Sequence, residues 1–280
     1  MAHHRVPHAR LSIMRVSLLA LLLLALPAAR NAGTAVELVA IPGGLLHQGD
    51  SEGEPDEAER DVAVAPFQLM RHEVTNADFA RFAAATGHVT DPERKGWGWV
   101  WTGRWRKAAG ADWRHPAGPD STIDGLTEHP VVQVSQADAA AFCAWYGLRL
   151  PADAEWEYAA RGTDRRRYPW GDEPPEQTDP RRANFGTVEC CAPDASDGFA
   201  RTAPVGSYPA GASPFGLRDM AGNVWEWTAD EHPAEPGEFA IRGGGWGNNP
   251  YCLRVSYRHA NPPDIGLDMV GFRCAGDAER

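Results

Sequence analysis

The chain has little with which to cross a membrane. Its longest apolar run, Val16–Leu26, would span about 16 Å as a helix at ~1.5 Å per residue, against a ~30 Å hydrocarbon core. Basic charge is also short. Thirty-eight Asp and Glu against 27 Lys and Arg leave a net charge of −11, the wrong sign for sequence-independent nucleic-acid binding. Cys-x-x-Cys, His-Glu-x-x-His and Gly-x-Ser-x-Gly arrangements are absent, which removes the zinc-site and serine-hydrolase readings. Cysteines are few and odd in number: Cys143, Cys190, Cys191, Cys252 and Cys274. No repeat, low-complexity tract or linker-like stretch divides the chain.

What is present at the N-terminus is a basic segment (His3, His4, Arg5, His8, Arg10, Arg15), the short apolar run, and small residues through Ala35. This is the pattern of a secretory signal peptide. Residues 1–33 are assigned to it, with Met14 an equally good start, and 34–280 to one mature domain. The mature chain is expected to be exported, periplasmic or secreted, without an integral membrane span or a nucleic-acid partner. Export makes disulfides the expected state of the cysteines, with the odd one left unpaired or bonded between molecules. The acidic stretch Asp50–Glu59 reads as a solvated loop. Eleven tryptophans must fill a core or line a groove.

The spacing predicts strands over 36–45 and 62–69, the second an edge strand because of Pro66. Three helices are expected. One is capped at Thr75–Asn76, buries Phe79, Phe82 and Ala83, and stops at Gly87. A second follows Ser135 and buries Ala139, Phe142, Cys143 and Tyr146. A third starts near Pro151–Asp153, buries Trp156, Ala159 and Ala160, and ends at Gly162. Beyond Gly162, frequent Gly, Pro, Asn and Asp predict short strands and long structured loops. Such loops need disulfides, ions or buried aromatic rings to fasten them.

Several segments in fixed order carry a family resemblance. They are Arg71-His-Glu-Val-Thr-Asn76, Trp113-Arg-His-Pro-Ala-Gly-Pro-Asp-Ser121, His129-Pro-Val-Val-Gln-Val-Ser135 and Ala141-Phe-Cys-Ala-Trp145. Arg149-Leu-Pro-Ala-Asp-Ala-Glu-Trp-Glu-Tyr-Ala-Ala-Arg-Gly162 and Tyr168-Pro-Trp-Gly171 follow. The last are Phe215-Gly-Leu-Arg-Asp-Met-Ala-Gly-Asn-Val-Trp-Glu-Trp227, Arg242-Gly-Gly-Gly-Trp246 and Gly271-Phe-Arg-Cys-Ala275. From about residue 37 onward the chain resembles the formylglycine-generating-enzyme (sulfatase-modifying-factor) family. The resemblance implies a single α+β domain, C-type-lectin-like, with little regular secondary structure.

It also implies sites. Asn184 and Asp197, with the carbonyls of Phe185 and Phe199, match the family's first calcium site. Asp219, Gly222, Val224 and Glu226 resemble the second. Calcium takes such mixtures of carboxylate, amide and carbonyl oxygens. Cys143 and Cys274 match a family disulfide. The family's copper site needs two cysteines after Arg-Gly-Gly-Ser, since Cu(I) suits thiolates. Here the first falls on Asn248, and the second on Pro250 or, with the gap moved, on Cys252. The serine of the oxygen pocket becomes Gly245, and an asparagine near it becomes Met269. Copper is therefore not expected. The vicinal Cys190–Cys191 has three readings: one of them bonds Cys252, they bond each other, or they form a redox device. Strain in vicinal bonds favours the first.

The scaffold of a cleft survives: Glu73, Trp225 and Arg258 as catalytic candidates beside Cys252, and Trp225, Arg258, Asn261 and Asp264 as substrate-binding candidates. Two functions follow from the resemblance. One is an oxidase-like enzyme acting on an exported peptide or small molecule without the copper–dicysteine centre, for which the family's pyoverdine-maturation oxidases are a precedent. The other is a non-catalytic, ligand- or protein-binding paralogue. An authentic formylglycine-generating oxidase ranks third.

Overall fold

The computed structural model describes residues 36–179, 181–187 and 191–278. Residues 1–33, expected to be a signal peptide, and Cys190 lie outside the described residues. The described elements, in chain order, are β1 (Leu38–Ile41), β2 (Gly44–Gln48), β3 (Arg60–Val64), β4 (Phe67–Met70), α1 (Asn76–Thr86), α2 (Asp91–Lys95), β5 (Trp97–Trp101) and β6 (Trp105–Ala109). The second half holds α3 (Gln136–Trp145), α4 (Asp153–Arg161), β7 (Trp225–Glu231), β8 (Phe239–Arg242), β9 (Arg258–Asn261), β10 (Val270–Gly271) and β11 (Ala275–Asp277). No helix among the described residues is long and apolar enough to cross a membrane.

The helix ends follow their capping chemistry. Thr75 and Ser135 each accept a hydrogen bond from the backbone N–H three residues on, and Asp78 and Asp138 reach back to complete the box. Gly87 ends α1 in the left-handed conformation. α2 is absent from the sequence expectation. It is one turn long, but Thr90 caps it, Pro92 opens it and Gly96 closes it at φ 73°. The expected strand at 36–45 is broken into β1 and β2 around Pro42, and the one at 62–69 into β3 and β4 around Pro66. β4 is not an edge strand. It is the centre of the sheet β1–β4–β11, because Pro66, which lacks an N–H, falls between the strands rather than within one.

Two clusters make the core. The larger gathers Phe79, Phe82, Phe142, Trp113, Trp227, Trp246 and Phe272 between α1, α3 and the sheet β10–β7–β8–β9. The smaller packs Trp156 and Tyr158 of α4 against Leu46, Phe67 and Leu69. A disulfide joins Cys143 in α3 to Cys274 just before β11, with Cα atoms 5.5 Å apart. It ties the middle of the chain to its end.

The acidic stretch is only partly a solvated loop. Glu57 is fully buried and forks onto Arg254, with Nη1 to Oε2 at 2.9 Å and Nη2 to Oε1 at 2.8 Å. Asp50 adds a 3.1 Å contact to the same guanidinium. The loop is fastened by charge pairs rather than left to water.

Candidate functional site

Strand alternation decides which side chains reach the site. In the antiparallel register Glu226, Arg242 and Arg258 lie in one row across β7, β8 and β9, while Trp227, Ile241 and His259 lie in the next. Neighbouring residues of a strand face opposite sides. The first row therefore turns towards α4, and His259 and Asn261 turn the other way, into a cleft.

On the α4 side the charges are buried and paired. Arg242 donates to Asp153 at 2.5 Å and to Glu157 at 2.8 Å. Arg258 donates Nε to the other oxygen of Asp153 at 3.0 Å and Nη1 to the Asp56 carbonyl at 2.8 Å. Burial opposes ionisation of Asp153, but the two guanidiniums overcome it and hold the carboxyl far below its ordinary range. Arg258 is thus a structural residue of this layer, not a wall of the cleft. Glu73 also lies elsewhere. It is buried, accepts Asn223 Nδ2 at 3.1 Å, and is pushed well above the usual carboxyl range by burial and by the neighbouring Asp219.

The cleft is a cavity of about 600 Å³. It lies between the β5–β6 hairpin and the surface carrying Trp225, Tyr257 and His259. Of the residues expected there, Trp225, Cys252, Asn261 and Asp264 line it; Glu73 and Arg258 do not. The hairpin was not anticipated, although Trp97-Gly-Trp-Val-Trp101 alternates with period two. Its register pairs Trp99 with Lys107 and Trp101 with Trp105, so four tryptophans and one lysine share a face. Trp97, Trp99, Trp105 and Lys107 line the cavity. The tryptophans thus do both jobs, core and groove.

Asn248, where the resemblance sets the first family cysteine, lines the cavity. Its Oδ1 accepts Trp225 Nε1 at 2.9 Å and the Gly245 N–H at 3.1 Å. The two other departures form one packing unit. A Cβ on Gly245 would stand 2.9 Å from Met269 Sδ, so the methionine fills the volume beside the glycine. Cys252 is a free thiol. Burial pushes it up to about 11, despite hydrogen bonding with Tyr257 and Asn248. Cys191 is disulfide-bonded and Cys252 is not, so the expectation that Cys252 is claimed by the vicinal pair is corrected. One protonated thiol facing an amide is not the two-thiolate donor set Cu(I) requires. The residues present do not fit the family's copper centre.

His259 is the residue that motif reading missed. Its ring is open to the cleft, 5.8 Å from Trp225, and its nitrogens have no hydrogen-bond partner among the described residues. The surrounding protein, and then His232, lower its pKa from the ordinary value. It is a neutral imidazole at neutral pH, able to accept a proton. Only the strand phase beside Arg258 signalled it.

The two proposed ion-binding sets differ in fit. In the first, the Asp197 carboxylate accepts the Phe185 and Phe199 N–H groups at 2.7 and 3.1 Å. Asn184 spends its amide N–H on Arg201 and Asn223, and its Oδ1 is buried without a partner. An unpaired buried amide oxygen beside a carboxylate fits a hard cation. In the second, both Glu226 oxygens accept Arg273 at 2.7 Å, and Trp156 adds a bond of 2.8 Å. That carboxylate already holds a guanidinium cation, so the second set does not fit as expected. Gly222 has a packing reason instead, since a Cβ there would collide with the Asn184 carbonyl.

An α+β frame with long fastened loops and an aromatic cleft beside Arg242-Gly-Gly-Gly defines a formylglycine-generating-enzyme-type, C-type-lectin-like domain. The chain belongs to the family described as sulfatase-modifying factor enzyme 1-like domain, whose model matches residues 24–278. It is similar to a formylglycine-generating enzyme of Streptomyces coelicolor, at 41% identity over 90% of this chain and 93% of that one. It is also 38% identical to the inactive C-alpha-formylglycine-generating enzyme 2 of Bos taurus, over 89% of this chain and 90% of that protein. Among solved structures, PvdO from Pseudomonas aeruginosa superposes with a TM-score of 0.67 at 28% identity, covering 86% of this chain and 94% of PvdO.

Proposed function

We propose that this protein is an exported, oxidase-like member of the family that acts on a peptide or small molecule held in the tryptophan-walled cleft, without a copper–dicysteine centre. The observation that carries the reading is the convergence of the unpartnered His259 imidazole, the Tyr257 phenol and the Cys252 thiol on one cavity. Concave clefts with a few polar groups among aromatic walls are the usual form of small-ligand sites. His259 is the proposed proton acceptor and Trp225 a wall for the substrate. The likeness to PvdO, at 28% identity, supports a use of the same fold. The Cys143–Cys274 disulfide and the signal-like N-terminus support export. A structural calcium ion is proposed at Asn184, Asp197 and the carbonyls of Phe185 and Phe199, on the strength of the unpaired Asn184 Oδ1.

A purely ligand-binding paralogue is the second reading. It is favoured by the protonated thiol and by the likeness to a relative named inactive. Mass spectrometry of the exported fraction, with and without the protein, separates the two. A species that loses hydrogen or gains oxygen only with wild type, and not with Trp225→Ala, supports the oxidase. A fraction unchanged by the protein contradicts it.

A further inference from the structure

The charges lining the cleft can be followed one by one. Asp264 is matched by Lys95, with Nζ to Oδ2 at 2.5 Å. His259 is uncharged at neutral pH, for the reasons given above. Lys107 has no carboxylate within ion-pair distance among the described residues. Its ammonium instead stands 3.9 Å from the centroid of the Trp97 ring and 5.6 Å from that of Trp99. The cleft wall therefore carries one uncompensated positive charge, on a hairpin face made otherwise of indoles. The aromatic seat that a cationic ligand would seek is already taken by the protein's own ammonium. Asn248 is committed to Trp225 and Gly245, which leaves the His259 ring and the Asn261 amide as the free uncharged polar side chains of the lining among the described residues. A sugar, which needs many hydrogen-bond partners, is poorly served.

We infer that the cleft selects a planar aromatic ligand carrying a single anionic group, with Trp105 and Trp225, which Lys107 does not cover, against its ring and Lys107 on the anion. This rests on the cleft being the functional site, and it names the chemical class of what enters. A volume of about 600 Å³ suits a small molecule or one aromatic side chain with its neighbouring carboxylate. The anion also avoids the cost of leaving the ammonium unpaired once water is displaced from the cleft.

The test is calorimetric titration of the mature chain with 2-naphthoate, 2-naphthylmethylamine and cyclohexanecarboxylate. Naphthoate is expected to bind most tightly. Lys107→Met should weaken it about tenfold, the scale of one charge-assisted hydrogen bond, and Lys107→Arg should restore most of the loss. The amine should gain from Lys107→Met, which vacates the indole face. If that variant folds poorly, Lys107→Gln gives the same comparison. Tighter binding of the amine than of the acid by wild type, naphthoate binding indifferent to residue 107, or no binding of naphthoate overturns the inference. The readout is affinity alone. A missing oxidised product refutes the oxidase reading without touching this one, and a preference for the amine refutes this one without touching the oxidase.

Discussion

Replacing Arg258 by Met tests the division of the β7–β8–β9 sheet into a charged face and a cleft face. The side chain is 4% exposed and bonded to Asp153 and to the Asp56 carbonyl. Removing one partner of a buried ion pair costs about 3–5 kcal/mol. Asp153 keeps Arg242, its 2.5 Å partner, so the loss should sit near the low end, about 3 kcal/mol. For a domain of this size that lowers Tm by about 6–12 °C. The pH dependence has a definite sign. The Asp153 carboxyl is held far below its unfolded value, so its stabilisation is present at neutral pH. It is lost as pH falls below the ordinary carboxylate range towards the folded pKa. With one guanidinium gone the depression is smaller, and the variant should retain less of this stability at neutral pH and have less to lose on acidification. Thermal melts from acid to neutral pH measure both effects, and naphthoate titration of the same samples measures the cleft. Arg258→Met should lose stability and keep affinity, while His259→Ala should keep stability within ~0.5 kcal/mol and impair turnover of the cleft substrate. An Arg258→Met protein of unchanged Tm that no longer binds ligand would refute the face assignment.

Three further outcomes follow. Cys143→Ala should lower stability by about 4–5 kcal/mol on a chain-entropy model, because the bond closes a separation of 131 residues; peptide mapping that finds both thiols alkylatable in native protein contradicts it. Chelation should lower Tm, and calcium rather than magnesium should restore it; Asn184→Ala should make the melt chelator-insensitive, and a chelator-insensitive wild type removes the ion. Cys252, at about 11, should be about a thousandth thiolate at pH 8, with alkylation accelerating steadily as pH rises; rapid alkylation at neutral pH would show a different thiol environment.

The parts of the fold legible in the sequence were those written in local chemistry. Thr75, Ser135, Gly87 and Gly162 mark helix ends by capping and left-handed backbone, and these marks do not depend on distant contacts. The ordered motifs carried the family. What escaped depends on pairing across the chain. Pro66 suggested an edge strand, but a proline between two strands says nothing about which of them is central. Arg258 looked like a cleft residue because the resemblance counts it in the surviving cleft scaffold. Only the register with Arg242 puts it on the α4 side and its neighbour His259 in the cleft. Glu57 looked solvated within an acidic run until Arg254, 197 residues away, reached it. Glu226 looked like a metal ligand, and the guanidinium that satisfies it arrives from Arg273.

Copper–dithiolate chemistry on cysteine lacks its donor set in this cleft, where Cys252 is the free thiol among the described residues. The most direct measurement is mass spectrometry of a Cys-x-Pro-x-Arg peptide incubated with the purified protein, Cu(I) and oxygen. The peptide cysteine is expected to remain a thiol or form only disulfide, identically for wild type and Cys252→Ala. Conversion of that cysteine to an aldehyde by wild type, abolished in Cys252→Ala, would contradict it.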